Sequence, residues 1–179
     1  MLKITIPDGE GFNEETNEFT ILKGHEIQLE HSLVSLSKWE SVWKKPFLTK
    51  NDKSTEESID YIRCMTITQN VDPKVYSLIT QTEIDKVKDY IADSMTATTF
   101  TTDNHKINRE IITAEVIYYW MIALDVPFEC QKWHLNRLLT LINVCNIKNQ
   151  PIKKGNKQTI LNQQRELNKT RRAQLNTTG

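Results

Sequence analysis

Between Ile111 and Asn149 runs the longest apolar stretch of the chain, IITAEVIYYWMIALDVPFECQKWHLNRLLTLINVCNIKN, with a proline near its middle. Val116, Tyr119, Trp120 and Ala123 recur at helical spacing, and Ile112 lies one turn earlier on the same face. Beyond Asp125-Val126-Pro127 the pattern resumes at Leu135, Leu138, Leu139, Ile142 and Cys145. Steps of three and four residues put an apolar stripe along one side of a helix. Pro127 breaks the run because its ring fixes φ and removes a donor, and it pushes the preceding residue out of helical geometry. The expectation is two helices joined by a short turn, a helical hairpin able to nucleate a core.

At 179 residues, the chain is long enough for one domain of roughly 140 to 150 residues plus a tail. The division expected is an acidic, mainly helical domain over residues 1–149 and a basic, polar tail over 150–179. The formal net charge of zero conceals this asymmetry. From Lys148 onward there are eight Lys or Arg and one acid, Glu166, or +7; the remainder has 15 basic and 22 acidic residues, or −7. A basic segment on an acidic body suggests a polyanionic partner or an acidic protein surface, including that of a second copy of the chain. No apolar run is long enough to span a membrane, and Met1–Pro7 alternates in polarity, unlike a secretory signal. Cys64, Cys130 and Cys145 are odd in number and widely spaced, as expected of reduced core thiols in a reducing cytosol.

Residues Leu2 to Ile6 alternate cleanly and read as a strand, followed by turn chemistry at Pro7-Asp8-Gly9-Glu10-Gly11. Phe19–Leu22 and Ile27–Glu30 read as two more strands, giving a small antiparallel sheet or hairpin. Helix signals then follow. Ser37-Lys38-Trp39-Glu40, Ser54-Thr55-Glu56-Glu57 and Thr80-Gln81-Thr82-Glu83 each have capping-box spacing, and Asp72-Pro73 sets a cap before a proline at the first helical position. The faces expected behind them are Trp39, Val42 and Trp43; Ile59, Ile62 and Cys64 or Met65; and Ile84, Val87 and Ile91. The threonine-rich Asp93–Asn108 reads as a connecting loop. After a linker at residues 150–155, Gln158–Gln174 reads as a helix conditional on a partner.

Catalytic and metal-binding signatures are missing from the sequence. No two of the four histidines stand at ligand spacing on a helix, there is no Cys-x-x-Cys, and Gly9-Glu10-Gly11 lacks the rest of a phosphate loop. No nucleophile elbow or kinase-type set is present. The residues point away from an enzyme, a metal or a cofactor. Trp133 and Arg137 stand four apart, so they share a helical face and can form a cation–π pair. Trp133, His134 and Arg137 could form a partner-binding patch, or Trp133 could anchor the core edge with Arg137 covering it. In the tail, Lys153, Lys154 and Arg171 join Arg165, Lys169 and Arg172, the last three on one helical face, as candidate contacts. Nucleic acid is disfavoured as their partner because no aromatic residue is interleaved with them.

Several stretches together carry a resemblance. Ser37-Lys38-Trp39-Glu40 with Lys45-Pro46-Phe47, then Asp60-Tyr61-Ile62-Arg63-Cys64-Met65, begin it. Met95-Thr96-Ala97-Thr98-Thr99-Phe100, Glu115-Val116-Ile117-Tyr118-Tyr119-Trp120-Met121 and Trp133-His134-Leu135-Asn136-Arg137-Leu138-Leu139 continue it, to the ending Arg171-Arg172-Ala173-Gln174-Leu175-Asn176. The chain resembles the tail assembly chaperones of long-tailed, non-contractile phages and their prophages. The resemblance spans nearly the whole chain and carries no residue-level binding site. It implies a non-enzymatic protein of the infected host's cytoplasm. Such a protein would bind the tape-measure protein, and through it help tail-tube subunits polymerise, while being absent from the finished virion.

The fold expected is α+β and mainly helical: a small N-terminal antiparallel sheet or hairpin, about five to seven helices in a bundle, and a basic C-terminal tail. The function expected is that of a tail assembly chaperone, with self-association possible. The alternatives are a structural virion component, such as a tail-completion or connector protein, and a nucleic-acid-binding accessory protein working through the basic tail.

Overall fold

The computed structural model describes residues 1–13, 18–49, 53–100, 111–149 and 157–175. By their contacts these fall into two units, Met1–Asn146 and Ile147–Gly179. The fold is α+β and mainly helical, with antiparallel strand pairs at the N-terminus as the alternation predicts.

Strand β1 (Leu2–Ile6) pairs with β4 (His25–Leu29), setting Leu2 opposite Leu29 and Ile4 opposite Ile27. Because side chains alternate across a strand, Ile4, Ile6, Ile27 and Leu29 all turn inward and are buried. Between them β2 (Gly9–Asn13) pairs with β3 (Glu18–Leu22). Gly9-Glu10-Gly11 is therefore strand, and the turn expected there is confined to Pro7 and Asp8. Gly24 closes the return: a Cβ on it would collide with the Ile6 carbonyl oxygen and the backbone of Pro7 and Asp8, and its N–H donates to Asp8 Oδ1 at 2.5 Å. The far edge of β4 is covered by the chain leaving the second helix. Glu30 N–H donates to the Met65 carbonyl at 2.9 Å and Ile67 N–H to that of Gln28 at 2.8 Å, which leaves no open template on that side.

Helix α1 (Leu33–Trp43) starts one turn earlier than the Ser37 box predicts. Its N-cap is Ser32, whose hydroxyl accepts from Ser35 N–H at 3.2 Å while Ser35 Oγ accepts from Ser32 N–H at 2.8 Å. Ser37 lies inside the helix. Hydrophobic Leu33 and Leu36 occupy the turn that Ser37 would have left outside, and both are fully buried. Trp39 is buried and Trp43 half-buried on the expected face, whereas Val42 is turned out. Helix α2 (Thr55–Met65) opens on the predicted Ser54–Glu57 box, with both reciprocal bonds made, at 3.1 and 2.8 Å. A 3-10 helix, Pro73–Leu78, follows the Asp72 cap. In α3 (Gln81–Ala92) Thr80 caps Glu83 N–H at 3.4 Å, but the Glu83 carboxylate pairs with Lys86 at 2.9 Å instead of reaching back.

The central stretch does form two helices, α4 (Ala114–Ala123) and α5 (Leu135–Asn149), though not as a tight hairpin. Asp125, in the left-handed region at φ 57°, ends α4, and a 3-10 helix at Phe128–Lys132 lengthens the connection. Helix α4 packs chiefly on α1. Its buried face is Ala114, Ile117 and Met121, one step round from the stripe read at Val116, Tyr119 and Ala123. That stripe misled because α4 is apolar on every side, and periodicity alone does not choose among faces of such a helix. In α5 the predicted stripe holds: Leu135, Leu138 and Ile142 are buried, with Leu139 and Cys145 packed partly against the core. Helix α6 (Lys157–Leu175) belongs to the second unit. No helix of the described residues is long and apolar enough to cross a membrane.

Glu40 links these pieces. Buried at the end of α1, its Oε1 accepts from Phe47 N–H at 2.8 Å and its Oε2 from Ala114 N–H at 2.7 Å. Thr113, at the N-cap position of α4, makes no side-chain cap bond. A carboxylate from a different helix thus satisfies a first-turn donor of α4 and meets the positive end of its dipole. Glu40→Ala should cost about 3 kcal/mol, since it leaves two buried N–H groups without their charged acceptor, as read by urea unfolding. By the same measurement Ser32→Ala should cost about 1 kcal/mol as a lost cap, and Ser37→Ala should stay within about 0.5 kcal/mol.

Candidate partner-binding surface

The best candidate surface lies on α4. Its inner face is filled by the core, yet outward it shows Tyr119 at 66% and Ile122 at 64% exposure, with Ala123 also exposed. Ile111 ahead of the helix and Phe128 after it are exposed as well, at 59% and 52%. Scattered apolar side chains on a surface need no explanation, but a helix with two apolar faces, only one of them covered among the described residues, is a candidate docking surface. Trp120 and Tyr118 are half-buried along its flanks, Tyr118 donating its hydroxyl to Gln131 Oε1 at 2.9 Å. Sequence reasoning put Tyr119 and Ala123 on the core-facing stripe, whereas the structure turns both outward. The usable signal was the run Ile117–Ala123, in which no position is charged.

At the start of α5 the predicted trio divides. Arg137 lies over Trp133, its Cζ 4.2 Å from the ring centroid, and Trp133 is partly buried against the core. His134 turns inward and is buried, donating from Nε2 to the Tyr90 carbonyl at 3.0 Å. It forms no outward patch with its two neighbours. Asn136, which nothing in the sequence singled out, ties this helix to the end of α3 by donating to the Ile91 and Asp93 carbonyls at 2.9 and 2.7 Å. In the second unit Arg165, Lys169, Arg171 and Arg172 are all exposed on α6. Lys153 and Lys154 lie outside the described residues, as do positions 101–108 of the threonine-rich segment.

Beneath the surface two histidines meet. The rings of His31 and His134 lie edge to face with centroids 5.1 Å apart, and His31 Nδ1 is 2.6 Å from the Tyr61 hydroxyl. The His134 ring also stands edge-on to Tyr90, whose hydroxyl donates to Glu30 Oε1 at 2.8 Å. Burial, and secondarily the neighbouring His134, pull the His31 pKa down to about 3. Both rings are buried and packed against Tyr61 of α2 and Tyr90 of α3. Among the described residues no group of three or more His, Cys, Asp or Glu could hold a metal ion. The three cysteines are free thiols; burial raises Cys64 to about 11, which leaves it protonated and unreactive at neutral pH.

Between α2 and α3 runs an open cleft of about 400 Å³. Thr55, Ser58 and Ile62 wall it on α2, and Gln81, Ile84, Lys88 and Ile91 wall it on α3. Both sets step by three and four, so each wall is a helical stripe, about 10 Å long on α2 and about 15 Å on α3 at 1.5 Å per residue. No protein-family model, curated protein or solved structure matches the chain.

The depressed His31 pKa has a sign. The folded state holds the ring neutral below the pH at which the unfolded chain takes up its proton, so stability is complete above about pH 6.5 and falls as pH drops from there towards 3. Thermal midpoints should decline between pH 6.5 and about 5, before most carboxylates titrate, and His31→Gln should flatten that decline.

Proposed function

We propose that this protein is a tail assembly chaperone of a long-tailed, non-contractile phage or prophage. In this reading it binds the tape-measure protein in the host cytoplasm and keeps it competent for tail-tube subunits to polymerise around it, without chemistry of its own. The resemblance carried by the Trp39, Tyr61, Trp120 and Trp133 segments supplies the family. The observation that carries the binding role is the uncovered apolar face of α4, with Tyr119 and Ile122 at its centre. A tape-measure protein is long, helical and apolar-striped, and its exposed stripe needs cover until the tube encloses it. An apolar helix face matches that need, because helix-to-helix docking buries apolar side chains at steps of three and four. The exposed cations of α6 would add attraction to acidic client surface, and that contribution would weaken with salt.

Co-expression with the candidate tape-measure protein and affinity capture test the reading. A soluble complex is expected, and Tyr119→Glu with Ile122→Glu should cut capture about tenfold or more, the size of effect seen when a central interface anchor is lost. If the tape-measure protein precipitates alone and leaves this chain in the supernatant, the proposal fails.

A further inference from the structure

We propose that the cleft between α2 and α3 is a second docking groove, which takes an amphipathic helix whose apolar stripe is bordered by carboxylates. The proposal rests on the chaperone reading only for the source of that helix, a segment of the client. Shape supports a helix as occupant. The walls are two helical stripes in which polar residues (Thr55, Ser58, Gln81, Lys88) alternate with Ile62, Ile84 and Ile91, on helices whose backbones hardly approach one another, which makes the opening a trough and not a round pocket. Its floor is closed by the buried Phe47, Ile62 and Val87, and its lips carry the half-buried Ile84 and Ile91. Such a trough accepts the apolar side chains of a third helix at steps of three and four.

Charge selects the kind of helix. Residues 1–147 carry 22 acids against 15 bases, yet among the described residues the side chains lining this cleft include Lys53 and Lys88 and no carboxylate. Lys53 lies with its ammonium 4.4 Å over the Phe47 ring, partly stripped of water, and burial lowers its pKa. Glu57, the acid acting on it among the described residues, already accepts from Lys45 and from Ser54 N–H. Lys88 has only the exposed Asp85, at 3.5 Å, a pairing of the kind that contributes little. An incoming carboxylate at each lip would meet a cation that has no strong partner among the described residues. A basic-flanked helix of the same apolar stripe would meet repulsion, so the two lysines discriminate between partners as well as attract one.

The test uses the full chain and two labelled synthetic peptides of about 15 residues, long enough for helix formation. They share one leucine stripe, flanked by glutamates in one and by lysines in the other, and laurate serves as a small amphiphilic control. Fluorescence anisotropy should show the acidic peptide bound in preference to the basic one. Lys53→Glu with Lys88→Glu should weaken the acidic peptide about tenfold and reverse the preference, with Lys53→Gln and Lys88→Gln falling between. Circular dichroism checks that each variant folds; if the reversal variant does not, the glutamine pair alone must reduce the preference. Equal binding of both peptides, binding of neither, binding of laurate alone, or indifference to charge reversal would each overturn the groove. Tape-measure capture separates the two proposals. If wild type and the reversal variant capture the client equally, the groove fails and the chaperone reading stands. If wild type binds the acidic peptide but never the client, the chaperone reading fails and the groove stands.

Discussion

A single buried carboxylate holds the architecture of the first unit together. Glu40 ends α1, accepts from the backbone of Phe47 as the chain turns away, and accepts again from the first residue of α4, 74 positions later. A carboxylate inside a protein persists only where its oxygens are satisfied, and here both are met by backbone N–H groups. The arrangement fixes the angle at which α4 enters the core. Ala114, Ile117 and Met121 are thereby turned inward, and Tyr119 and Ile122 are left facing out.

Around the anchor, aromatic side chains of α1 and α2 find partners for their polar atoms. Trp39 donates to the Glu57 carbonyl at 2.9 Å, Trp43 to Asp60 at 2.8 Å, and Phe47 stacks on Tyr61 with centroids 3.8 Å apart. Those bonds tie α1 to α2 without requiring apolar contact along the whole of either helix. On the far side of α2 the same economy leaves the cleft facing α3, because Ile62 and Val87 close its floor while the helices themselves diverge. The two candidate surfaces have different chemistry: a broad apolar face on α4, and a lysine-lipped trough on the other side of the aromatic layer.

Much of the fold was legible in the sequence. The alternation of Leu2–Ile6 and Ile27–Glu30 predicted strands in a small antiparallel sheet, and the structure has both, paired with each other and with Ile4 and Ile27 inward. The Ser54–Glu57 box and the Asp72-Pro73 start were right, and so was the Leu135–Leu138–Ile142 stripe. The misreadings share one cause. Ser37-Lys38-Trp39-Glu40 has the right spacing for a box, but Ser32 and Ser35 form one instead, and Glu40 is taken by α4. Of the two readings open for Trp133, His134 and Arg137, the structure has Trp133 at the core edge with Arg137 over it, and His134 bound to the carbonyl of Tyr90, on another helix.

The sequence by itself determined most of the helices and the outer strands, because caps, turn residues and apolar periodicity act within a few residues of one another. It also determined the separation of an acidic body from a basic C-terminal stretch. Only the tertiary structure decided which face of α4 is buried, which serine starts α1 and which lysines line a cleft. Those choices rest on contacts between residues tens of positions apart, where several local patterns are equally acceptable and the packing of neighbours selects one.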